Sequence, residues 1–136
     1  MIRFNKYEHK KFLIVVSDFI RKISKGDRLT SISSKVSNLI KKEAVNKKKK
    51  VTVLDFGCGS MEISKKIKDK NYIKEIVGSD IFKHEFKSNK MSYISNYELF
   101  KKNKKFDIIF VIDVLHHIGV EEAFKTIKRL SKLSNN

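Results

Sequence analysis

Proline is absent from the 136 residues, cysteine occurs once and glycine five times. Without proline, no helix is kinked by a pyrrolidine ring and no turn rests on a cis prolyl bond. The lone cysteine, Cys58, excludes an intrachain disulfide framework. No apolar run approaches the roughly 18 residues of a membrane-spanning helix. The opening "MIRFNKYEHKKF" has charges scattered through it and no apolar core of a secretory signal. These absences predict a cytoplasmic chain with no membrane span.

Acidic residues are also scarce, 15 against 31 basic ones, for a formal charge of +16. Such a charge permits a nucleic-acid partner, because clustered cations gain affinity by releasing counterions from phosphates. It does not favour one. Only Arg3, Arg21, Arg28 and Arg129 are arginines, whereas surfaces that read bases lean on the bidentate arginine fork. An excess of Lys, Asn and Ile together is what an AT-rich coding sequence produces. The length fits one domain, and 40% hydrophobic residues exclude a wholly disordered chain.

Periodicity is what the chain has in place of these signals. Phe12, Val15, Val16, Phe19, Ile20 and Ile23 recur at helical spacing, which predicts an amphipathic helix over 12–23 with a stop at Gly26. Leu29, Ile32, Val36, Leu39 and Ile40 predict a second helix, dissolving into "NKKKK" at 46–50. The period then changes. "VTVLDF" at 51–56 reads as a buried parallel strand, followed by a turn at Gly57–Gly59 and a helix through Ile63 and Ile67 capped by Ser60. "EIVGSD" at 75–80, "MSYIS" at 91–95 and "FDIIFVID" at 106–113 are three further strands. Val120, Ala123, Phe124, Ile127 and Leu130 mark a final helix. Alternating strands and helices predict an α/β fold with a doubly wound parallel sheet, whose ligands bind at the carboxyl ends of strands. Asp55, Asp80 and Asp113 all fall at such ends.

A dinucleotide does not suit this pattern, since the third glycine of the fingerprint is replaced by Glu62 and a carboxylate there would oppose a pyrophosphate. The glycine–lysine–Ser/Thr run of a phosphate-binding loop is absent too. A nucleoside without phosphate fits better. Asp80 stands near the offset at which an acid reaches a ribose diol, Asp55 suits an ammonium, and the amides beyond Gly59 suit a carboxylate. Diol, ammonium and carboxylate together describe S-adenosyl-L-methionine.

"VLDFGCGS", "IVGSDI" and "FDIIFVIDVLHHIG" resemble, in order and near spacing, the motifs of the class I S-adenosylmethionine-dependent methyltransferases. The resemblance covers about residues 50–133. It implies a Rossmann-like methyltransferase fold in which Asp55, Gly57, Cys58 and Gly59 hold the methionine end and Asp80 the ribose. Ile81 would pack on adenine, Asn96 would approach the adenine amine, and Asp113 and Val114 would border the methyl-transfer pocket. Residues 1–46 would form an N-terminal helical cap and 47–136 the cofactor-binding domain. The product would be S-adenosyl-L-homocysteine, and the methyl acceptor an unknown O, N or C nucleophile.

Each residue also has a plainer reading. Asp55 and Asp80 serve as loop acids in many α/β domains, and glycines at 57 and 59 are needed by any tight turn. Cys58 reads as a small packed side chain, with nothing nearby to activate a thiolate. His117, with Asp113, is the candidate for acid–base chemistry, His116 being the weaker of the adjacent pair. Adjacent histidines diverge and have no helical partner, so no metal site is expected. The family's sheet has seven strands and only four are legible here, its C-terminal strands being missing. "FDIIFVI" would then be an exposed apolar edge, which predicts self-association or a second polypeptide to cover it. A catalytically silent cofactor-binding domain or partner subunit is the alternative reading, and an aminopropyl transferase a further one.

Overall fold

The computed structural model describes residues 14–17, 25–82 and 88–135. Five strands, β1 (Ile14–Ser17), β2 (Val51–Phe56), β3 (Ile73–Asp80), β4 (Met91–Ser95) and β5 (Ile108–Ile112), form one sheet in the order β1-β5-β2-β3-β4. Every pairing is parallel. Helices α1 (Lys25–Lys47) and α2 (Glu62–Lys66) cover one face, α3 (Asn96–Lys102) and α4 (Val120–Ser131) the other. The expected doubly wound α/β architecture is what the chain adopts.

Burial on both faces explains why the strands read as continuous apolar runs. Along β5, Ile108, Phe110 and Ile112 enter a core shared with Ile32, Val36, Ile40 and Ala44 of α1. Ile109 and Val111 enter the other, with Leu99 of α3 and Leu130 of α4. Residues 25–47 are therefore packed into the domain's own core.

Four expectations are corrected. Residues 14–17 are not helical: Ile14 to Ser17 pair in register with Ile109 to Ile112 as strand β1. The rest of the predicted 12–23 helix lies outside the described residues. Consecutive β-branched residues fit a strand as well as a helix, and the unpaired edge of β5 decides between them. It follows that β5 is an inner strand. The apolar edge that called for self-association or a second polypeptide is filled from within the chain. Gly26 does not stop a helix but lies in the first turn of α1. Ser60 does not cap α2. That helix starts after Met61, which sits in the left-handed region (φ 60°) with no side-chain cap, and it runs five residues.

At the amino end of the sheet, Asp107 gathers distant segments. Its Oδ1 accepts from Lys47 (3.0 Å) and Asn135 (3.0 Å) and pairs with Lys49 (3.1 Å), while Oδ2 accepts from the amide and hydroxyl of Thr52 (2.9 and 3.0 Å). Burial alone would raise its pKa, but the Thr52 amide, Lys47, Asn135 and Lys49 outweigh that and hold it well below the usual carboxylate range. The C-terminal stretch closes alongside, with Phe106 donating to Leu133 O and Asn135 donating to Phe106 O.

Candidate ligand cleft

At the carboxyl ends of β2, β3 and β5 the molecule opens into a cavity of about 920 Å³. It lies where the strand order reverses, with β3 on one side of β2 and β5 on the other, the place where doubly wound sheets hold ligands. Phe56, Ile81, Tyr97, Phe100 and Val114 give it an apolar wall, and Asp80, Asn96, Asp113 and His117 bring polar groups to it.

The turn after β2 is built for close approach. Gly57 adopts φ +73°, and a Cβ there would lie 2.0 Å from Val114 Cγ2. Only glycine brings the β2 turn and the β5 loop this near. The amides of Gly57 and Cys58 both donate to Ser79 O, at 2.7 and 3.1 Å, folding the turn over the end of β3. Gly59 is also left-handed (φ +49°), but a Cβ would meet nothing within 4 Å. Its amide donates to Asp80 Oδ2 at 2.8 Å. The other oxygen, Oδ1, accepts from the Ile81 amide at 2.7 Å and from the Phe82 amide at 3.4 Å. Backbone thus fixes the Asp80 carboxylate at the cleft wall, and Oδ2, with one donor, keeps a lone pair for a further one.

Asp55 lies below the turn rather than in the cleft wall. It is 4% exposed and accepts one hydrogen bond, from Ser64 Oγ at 2.6 Å. Burial and the neighbouring Asp80 charge push its pKa up to about 7, against the pull of the Ser64 hydroxyl. Cys58 packs against the bare backbone of Gly78, whose added Cβ would meet Sγ at 2.8 Å. Burial and the Asp55 and Asp80 charges push this thiol up to about 12, so it carries no thiolate near neutral pH.

Across the cleft, Asp113 leaves β5 with φ +57°, a left-handed conformation that most side chains avoid and aspartate tolerates better than most. Its Oδ2 pairs with Arg28 of the first turn of α1 at 2.9 Å. The loop bearing Asp113 and Val114 is thus held between Arg28 on one side and Gly57 on the other. His117 is exposed at the cleft, in a short 3-10 turn whose amide donates to Val114 O at 3.0 Å.

A family model described as "Methyltransferase domain" matches residues 25–134. The chain belongs to the class I methyltransferase family. No curated protein and no solved structure matches it. The match opens at α1 and so takes in Arg28, the residue that anchors the β5 loop.

For this methyltransferase domain, the cleft collects Gly57, Asp80, Ile81, Asn96, Asp113, Val114 and His117 from the residues expected in the site. Asp55, Cys58 and Gly59 stand behind the wall, joined to it through the turn. Asn96 opens α3 and accepts at Oδ1 from Ser79 Oγ, 2.6 Å away. Ile81 and Tyr97 are 76% and 74% exposed at the mouth, apolar surfaces with little of the protein to cover them. Among the described residues, no group of His, Cys, Asp and Glu could hold a metal ion.

Sequence reasoning missed Tyr97, Phe100, Arg28 and Arg129. Tyr97 and Phe100 belong to α3, whose signal was present. "SNYE" at 95–98 is a capping box, with Ser95 Oγ accepting from the Glu98 amide at 3.2 Å. Arg129 lies over the Phe100 ring at 3.8 Å, a contact between helices that no local pattern encodes.

Proposed function

We propose that this methyltransferase takes its methyl group from S-adenosyl-L-methionine, leaves S-adenosyl-L-homocysteine, and serves an O, N or C nucleophile. The observation that carries the reading is the Asp80 carboxylate at the cleft wall, held by the backbone amides of Gly59, Ile81 and Phe82 and facing an apolar mouth. A carboxylate so fixed suits a vicinal diol, which offers two adjacent hydroxyl donors to a group that only accepts. The bare backbone of Gly57 and the underused carboxyl of Asp55 fit the amino-acid end of the same molecule.

The chain's residues then divide the work. Ile81 and Tyr97 offer apolar surface to a flat base. With Oδ1 engaged by Ser79, Asn96 has amide N–H to offer a ring nitrogen of that base. Asp113 and Val114, pinned by Arg28 and Gly57, border the reacting end. His117 stands at the cleft where it can take a proton from an acceptor hydroxyl or amine. The bound sulfonium supplies the activated methyl group. What the protein adds is alignment of donor and acceptor and exclusion of water, for which rigid placement matters more than any one acid or base.

Calorimetric titration with S-adenosylmethionine and S-adenosylhomocysteine tests this. Micromolar binding, weakened about 100-fold or more by Asp80→Ala, is expected for a lost pair of charge-assisted hydrogen bonds. A folded wild-type chain that binds neither compound would refute the reading.

A further inference from the structure

Asp55 is placed unusually for an acid. It sits in the strand interior opposite Gly78 and Phe110 of the flanking strands, almost wholly buried, with the Ser64 hydroxyl as its hydrogen-bond partner. Among the described residues, the ionisable groups that act on it are Asp80 at the end of β3 and Cys58 in the turn, and neither is a cation. β5 presents apolar side chains alone, and Glu62, Lys65 and Lys66 of α2 stand in solvent. With one neutral donor and, among the described residues, no countercharge, such a buried carboxylate is costly. Where stability alone mattered, Asn or Ser would accept from Ser64 at less cost.

We propose that Asp55 selects for a cationic ligand head, holding a proton while the cleft is empty and releasing it when an ammonium group settles at the glycine turn. The inference rests on the S-adenosylmethionine reading of the cleft. In the step, the carboxyl O–H bond breaks and its proton passes to bulk buffer. The carboxylate left behind interacts with the ammonium directly, or through the turn's backbone and water. No oxidation state changes. Burial and the Asp80 charge, which push the empty acid up to about 7, put this exchange in the physiological range. Binding is then linked to proton release, and affinity rises with pH until the acid ionises without help. Above about pH 8 the ligand's own amine loses its charge, so the profile has a maximum.

Two measurements test this on the intact chain. Carbon-13 NMR of the carboxyl groups, with Asp55→Asn to assign the signal, is expected to show Asp55 titrating near neutrality in the empty protein. Titration at the ordinary aspartate value of about 4 would overturn the proposal. Calorimetry at about pH 6.5 in two buffers of different ionisation enthalpy is expected to show most of one proton released per S-adenosylmethionine or S-adenosylhomocysteine bound. Affinity is expected to rise about tenfold between about pH 5.5 and about pH 7. 5′-Methylthioadenosine, which keeps the nucleoside but lacks the ammonium, should bind without releasing a proton. Binding of S-adenosylmethionine with no proton release, or equal release by 5′-methylthioadenosine, would overturn the proposal while leaving the cofactor reading intact. Failure of all three nucleosides to bind, with Asp55 still titrating near neutrality, would overturn the cofactor reading and the ligand assignment with it.

Discussion

Gly57 and Gly59 are two residues apart and share a left-handed backbone, yet their surroundings give them different burdens. At Gly57 an added methyl group meets the Val114 side chain at 2.0 Å, so Gly57→Ala combines a strained φ with overpacking and is expected to cost about 3 kcal/mol. At Gly59 there is open space, and Gly59→Ala carries the backbone cost alone, about 1 kcal/mol. Urea unfolding of the two variants measures the difference. Val114→Ala, added to Gly57→Ala, should recover part of the loss, since the two sites touch. Equal destabilisation by both single variants, with no rescue, would show that the loop beyond β5 is not pressed against the turn. The sequence displays two similar glycines in "FGCGS". Which of them is indispensable depends on Val114, 57 residues further on, and only the fold brings that residue near.

At the scale of elements, Asp107 ties the end of α1, the start of β2 and the C-terminal stretch to the foot of β5. Removing its charge by Asp107→Asn leaves Lys47 and Lys49 without their shared countercharge and weakens the bonds from Thr52. The expected loss is about 3 kcal/mol. The pH dependence follows from its depressed pKa. The unfolded chain binds the proton at about pH 4 and the native chain only at lower pH, so Asp107's contribution is complete above that value and drains away as acid is added. Thermal melts at about pH 7 and about pH 3 should therefore differ less in Asp107→Asn than in the wild type. An unchanged difference would assign the acid sensitivity to other groups. The same scale shows what was legible. β2 to β5 announce themselves because both faces are buried and their apolar runs are short and β-branched. α2 and β1 do not. α2 is five residues long and leans on buried Met61, Ser64 and Ile67 rather than on a cap, and β1 is a strand because β5 has an edge to fill. The site divides in the same way. Asp80, Gly57 and Val114 stand at strand ends, which spacing locates. Tyr97 and Arg129 reach the cleft, and Arg28 reaches Asp113 at its edge, from helices whose packing the local sequence does not state.

For the whole molecule, the decisive feature is the sheet's far side. β5 is the most apolar strand, buried along its whole length, and an open edge on such a strand pairs with whatever strand it meets. Here the meeting is with the chain's own β1, four residues in parallel register. Four residues give only a few ladder hydrogen bonds, no more than β2 gives on the other side, yet this closure is what keeps the apolar edge paired. It also sits beside the loop that carries Asp113 and Val114, so loosening the edge should disturb the cleft as well. Deletion of residues 1–17 is expected to convert a monodisperse protein into one that associates through β5, seen as a rise in mass by light scattering that grows with concentration. Affinity for S-adenosylmethionine should fall in the same variant even at the lowest concentrations, because the β5 loop loses a neighbour. A deletion variant that stayed at wild-type mass would show that α4 and the turns already protect the edge. Retained affinity in an associating variant would separate the two roles, leaving β1 as a guard of the sheet alone.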